Sequence, residues 1–66
     1  MTGTRGEVII EFQRLGRAVK VTAIDVATAV EVSIQGPASS GEEALKRAVL
    51  RKLDYVLAKR GNPRSA

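Results

Sequence analysis

Residues 7–35 read EVIIEFQRLGRAVKVTAIDVATAVEVSIQ, and their alternation decides the fold. From Glu7 to Leu15, Val8, Ile10 and Phe12 fall on one side of an extended chain, with Glu7, Glu11 and Gln13 on the other. From Ala18 to Ile24 the pattern returns, with Val19, Val21 and Ala23 set against Lys20 and Thr22. Between Val30 and Gln35 it appears a third time and most cleanly, with Val32 and Ile34 against Glu31, Ser33 and Gln35. Side chains on a strand alternate sides, so this period-two pattern, rich in β-branched residues, predicts three half-buried strands. They are expected near residues 7–15, 18–25 and 30–35.

The connections are short, so neighbouring strands should run antiparallel. Gly16-Arg17 suits a two-residue type II′ turn, which wants glycine first. That turn pairs Phe12 with Val21 and Ile10 with Ala23 on the inner face, and Ile9 with Ile24 on the outer face. A turn on Leu15-Gly16 would slide the pairing to Phe12–Val19 and Ile10–Val21 without exchanging the faces. Residues 25–29 (Asp-Val-Ala-Thr-Ala) resemble a type I turn followed by a left-handed residue, with Asp25 accepting hydrogen bonds from the turn backbone. The left-handed position falls on Ala29, where a side chain costs on the order of 1 kcal/mol.

Gly36-Pro37 is expected to end the third strand. Ser40-Gly41-Glu42-Glu43 then reads as a capping box, and Ser39 with Glu42 offers the same box one residue earlier. Apolar residues follow at helical spacing, at Leu45, Ala48, Val49, Leu53, Val56 and Leu57. Lys59 and Arg60 suit the negative end of the helix dipole, Gly61 suits a C′ position, and Asn62-Pro63 prevents continuation. A helix near 41–60 follows. Three one-sided strands and one striped helix bury their apolar faces against each other. The expected fold is α+β, a two-layer β-β-β-α unit in which a three-stranded antiparallel meander packs on the C-terminal helix. Its expected core is Val8, Ile10, Phe12, Val19, Val21, Ala23, Val32, Ile34, Leu45, Val49, Leu53, Val56 and Leu57. The domain should span 7–60, with flexible tails at 1–6 and 61–66.

The chain has 66 residues, no cysteine and no histidine. So small a domain buries only roughly 60% of the surface of its unfolded chain. Disulfides and thiolate metal sites are excluded, and the commonest metal ligand and general base is missing. What remains is good helix packing, or support from a partner. No apolar run approaches the roughly 20 residues that span a bilayer, and Met1–Gly6 lacks the apolar stretch of a signal peptide. The expectation is a cytoplasmic protein without a membrane span.

No catalytic constellation is visible, so the expectation is that the protein is not an enzyme and holds no cofactor. Ser33 falls near Lys20 on the outer sheet face in either register, where it reads as a solvated polar pair. Glu7, Glu11 and Glu31 share that face, but paired carboxylates need a cleft to separate their pKa values. The net charge of +4 is uneven. Residues 1–35 hold four basic and four acidic side chains, and residues 36–66 hold seven and three. Lys46, Arg47, Arg51, Lys52, Lys59, Arg60 and Arg64 are dense enough to suggest phosphate contact, led by Arg47 and Arg51 with Lys59, Arg60 and Arg64 in support. On a wheel at about 100° per residue they scatter, and a binding surface would gather them on one face. Nucleic acid is therefore a disfavoured partner. Reading DNA from the sheet is disfavoured too, because three carboxylates there repel phosphates.

Ile9, Leu15 and Ile24 are apolar residues left over on the sheet face opposite the helix. In so small a domain they are the candidate protein interface. The expected role is a non-catalytic interaction module that self-associates or docks on a larger protein.

Glu11-Phe12-Gln13-Arg14, Val19–Asp25, Val30-Glu31-Val32-Ser33, Gly36-Pro37 and Leu50-Arg51-Lys52-Leu53 together resemble a family of short bacterial proteins of unknown function. Members often carry glycine where this chain has Ala29. Some carry the name of a pyridoxal-phosphate enzyme, serine hydroxymethyltransferase. Enclosing that cofactor takes several hundred residues, so the name reads as a mislabel. The resemblance implies no active site and no partner.

Overall fold

The computed structural model describes residues 7–61. Its elements are β1 (Val8–Leu15), β2 (Ala18–Asp25), β3 (Val30–Pro37), a 3-10 turn (Ala38–Ser40) and α1 (Glu42–Gly61). The strands form one antiparallel sheet in the order β1-β2-β3 with the helix on one face, which is the expected α+β arrangement. The expected tails, 1–6 and 61–66, lie outside the described residues except for Gly61, which ends the helix.

Leu15 faces Ala18, so the first hairpin turns on Gly16 and Arg17. Gly16 takes φ 65°, the positive value a type II′ turn demands of its first residue. Phe12 therefore faces Val21, Ile10 faces Ala23 and Ile9 faces Ile24. In the second turn Ala29 takes φ 63°, left-handed as expected. Three hydrogen bonds hold it there. The Ala29 amide donates to the Asp25 carbonyl at 2.7 Å, and the Thr28 amide and hydroxyl donate to Asp25 Oδ2 at 3.1 and 2.7 Å. The Thr28 hydroxyl in turn accepts the Val30 amide at 3.2 Å. Asp25 is buried, and these donors satisfy its carboxylate.

Two local expectations are corrected. The third strand does not stop at Gln35 but runs through Pro37, which faces Ala18. Pro37 is tolerated because the amide it lacks would point away from β2. Gly36 faces Val19, and a Cβ built on it would stand 2.6 Å from Leu45 Cδ2. Only glycine lets the first turn of the helix approach this closely. The capping box also does not form, because Ser39 and Ser40 belong to the 3-10 turn. Gly41, at φ 89°, precedes the helix, and its carbonyl accepts the Leu45 amide at 3.2 Å.

The core consists of Val21, Ala23, Val30, Val32, Leu45, Val49 and Leu53, flanked by half-buried Val8, Ile10, Val19, Ile34, Leu50, Val56 and Leu57. Phe12 is the third correction: expected inside, it is 38% exposed and stands apart from this cluster. The cause is geometric. Four residues, 38–41, join β3 to the helix, so the helix starts beside β3 and lies over β3 and β2. A helix about 10 Å wide covers two strands spaced about 4.8 Å apart, not three. Among the described residues, Phe12 and Arg14 in the second half of β1 are left exposed on the helix side.

Candidate functional site: the open edge of the sheet

Among the described residues β1 is an edge strand, paired with β2 alone. Five large apolar residues are exposed among the described residues, and three of them, Ile9, Phe12 and Leu15, lie on β1. The candidate interface residues behave differently from one another. Ile9 is 48% exposed and faces half-buried Ile24 across the hairpin, so this pair forms as expected. Leu15, 40% exposed, sits at the other end of the strand. Six residues of strand separate it from Ile9, about 20 Å at the usual rise. The expected trio is thus one pair and one distant residue. Phe12 lies between them in sequence but on the other face of the sheet.

The backbone of this edge has a definite phase. A two-residue turn makes Leu15 and Ala18 a hydrogen-bonded pair, and such pairs recur at every second residue. The Val26 amide donating to the Glu7 carbonyl at 3.1 Å keeps the same phase at the far end. The backbone groups of Glu7, Ile9, Glu11, Gln13 and Leu15 therefore serve β2. Those of Val8, Ile10, Phe12 and Arg14 point out of the sheet edge.

On the helix, Leu50 and Leu57 are half-buried seven residues apart on one flank. Lys52 lies on the opposite flank and donates from Nζ to the Ser33 carbonyl at 3.0 Å, which places that flank over β3. Leu50 and Leu57 therefore face the β1 side. Ile10, Leu50 and Leu57 pack half-buried against the core on that side, while Phe12, on the same sheet face as Ile10, is exposed.

The basic candidates divide. Arg47, Arg51, Tyr55 and Lys59 follow one another at four-residue spacing, and all four are exposed. The Lys59 amine lies 5.6 Å from the centroid of the Tyr55 ring, within cation–π range. Arg60 is exposed but falls about 100° round the helix from Lys59. Arg64 lies outside the described residues. Leu15, Lys20, Ser33 and Gln35 of the outer sheet face, with Ile34, line a shallow depression of about 340 Å³, so Ser33 and Lys20 do come to one place. Among the described residues no group of carboxylates is placed to hold a metal ion, and no helix is long and apolar enough to cross a membrane.

Residues 5–60 match the model of a domain of unknown function, DUF6898. The match covers most of the chain, so the protein belongs to this family of uncharacterised domains. No curated protein and no solved structure matches it.

Proposed function

We propose that this chain is a small non-catalytic protein-interaction module of the bacterial cytoplasm, and that β1 is the element through which it binds. One observation carries the reading: among the described residues nothing pairs with the outer edge of β1, and Ile9, Phe12 and Leu15 are exposed on it. Monomeric domains usually blunt such an edge with charge, proline or a covering element. The serine hydroxymethyltransferase name of some relatives stays a misassignment on this reading. A native-lysate pull-down tests it. A stoichiometric protein, this chain or another, should be recovered despite nuclease treatment and lost with Phe12→Lys. Recovery of nuclease-sensitive material alone would sink the module.

A second reading is weak, sequence-independent binding of nucleic acid or another acidic partner through the helix. The row of Arg47, Arg51, Tyr55 and Lys59 favours it, because it sets three cations and one aromatic along one exposed ridge that winds about 120° round the helix. Such binding should weaken steeply with added salt and with Arg47→Glu. A filter-binding titration with RNA and duplex DNA at low salt would end this reading if neither were retained.

A further inference from the structure

Resting on the interaction reading, we propose that the partner at β1 is a second copy of this chain. The two β1 strands pair antiparallel about a twofold axis at Phe12. Two three-stranded sheets become one six-stranded sheet with both helices on the same face.

Three observations select this occupant and this register. The outward backbone groups of Ile10, Phe12 and Arg14 are in phase for it. Phe12 meets its symmetry mate and Ile10 meets Arg14 of the other copy, giving roughly six backbone hydrogen bonds at three facing pairs. The side chains are self-complementary as well. Ile9 faces Leu15 of the second copy, and Leu15 faces its Ile9, so the two apolar residues at opposite ends of β1 are brought together twice. On the inner face exposed Phe12 lies against Phe12 of the second copy, and each ring covers the other.

Charge settles the register. With Phe12 at the axis, Glu11 faces Gln13 of the second copy, and no two like charges meet along the strands. Moving the axis to Glu11 sets two carboxylates directly opposite, which disfavours pairing. Moving it to Gln13 sets Leu15 against Glu11 and leaves Ile9 facing the turn residue Arg17. A shift that exchanges odd and even residues would bring the inner apolar row onto the outer polar one. Only the Phe12-centred pairing uses every exposed apolar residue of β1.

One shared edge buries less than a permanent interface of about 1,200 Å² or more, so the dimer should be reversible. Sedimentation equilibrium from about 10 μM to about 1 mM should show a monomer–dimer transition, as expected for moderate affinity. Two variants locate it. Phe12→Lys puts two ammonium groups at the axis and should remove the dimer across this range. Gln13→Glu separates loss of association from loss of fold. Within the monomer residue 13 faces Lys20, so a glutamate there suits the fold. In the dimer it faces Glu11 of the other copy, and the dissociation constant should rise about tenfold. Unfolding followed at low concentration should show the Gln13→Glu monomer as stable as the parent. A strict monomer at about 1 mM, or a dimer indifferent to Gln13→Glu, overturns the proposal. A monomeric chain that still captures a different protein through Phe12 also overturns it, while leaving the interaction module standing.

Discussion

The two edges of this sheet are built on opposite plans. At the β3 edge, Lys52 crosses from the helix and occupies the outward carbonyl of Ser33. Pro37 removes an outward amide, and Glu31 and Gln35 are exposed there. At the β1 edge there is no proline and no crossing lysine, and the exposed side chains include Ile9, Phe12 and Leu15. Each edge turns the backbone of every second residue outward. One is blunted by charge and by the helix, and the other is left adhesive. The difference traces to the short β3–helix connection, which commits the one helix of the described residues to one side of the sheet.

The largest contrast expected from this asymmetry is in the core. Leu53 is fully buried beneath the covered side, and Phe12 stands on the uncovered side. Leu53→Ala should cost about 2–5 kcal/mol, enough to unfold much of so small a domain. Phe12→Ala, though it removes a larger side chain, should cost the monomer less than half as much. Urea unfolding at low protein concentration measures both. Equal losses would mean that β1 shares the core after all.

Gly36→Ala probes the close approach that holds the helix over β3. A Cβ at 36 would overlap Leu45 Cδ2, and Leu45 is itself buried with little room to turn. The expected loss is about 1–3 kcal/mol, in the range of overpacked cores. A neutral result would show that the helix can shift toward β1, and the distinction between the two sides would weaken.

How much of this was legible beforehand depended on whether a residue's role was set locally. The faces of the strands and the left-handed Ala29 are decided within a few residues of chain, and sequence reading reached them, while the Gly16-Arg17 turn with its Phe12–Val21 and Ile9–Ile24 pairings was one of two registers it left open. The capping box failed because Gly41 can itself serve as the helix start, and a glycine at that point competes with the serines before it. Phe12 failed for a different reason. Alternation assigns it to the inner face correctly, but facing the helix layer is not being covered by it. The missing step was to compare the width of one helix with three strands, given a connection too short to carry the helix to the far edge. The same step would have moved attention from the Ile9–Ile24 pair to the whole of β1. The even spacing of Arg47, Arg51, Tyr55 and Lys59 was also readable, and was obscured by counting all the basic residues of the helix together.

A smaller effect is expected at the turn that joins β2 to β3. Ala29→Gly relieves a left-handed side chain, a gain of about 1 kcal/mol reduced by the extra freedom glycine brings to the unfolded chain. The net should be a stabilisation of a few tenths to about 1 kcal/mol, seen as a raised unfolding midpoint with unchanged m. Association should not change, because the turn lies off the β1 edge.

The smallest expected effect tests the blunted edge directly. Lys52→Met keeps the aliphatic stem over the core margin and removes the ammonium that occupies the Ser33 carbonyl. That contact is exposed, so water replaces it and stability should move by no more than about 0.5 kcal/mol. What matters is association. Pro37 and the polar side chains of Glu31 and Gln35 remain on β3, so the freed carbonyl alone should not make that edge adhesive. Sedimentation of Lys52→Met should therefore give the parent dissociation constant, and the Phe12→Lys, Lys52→Met double variant should remain monomeric. If the double variant dimerised, Lys52 would be the main barrier at β3, and the two edges would differ by one side chain rather than by the placement of the helix.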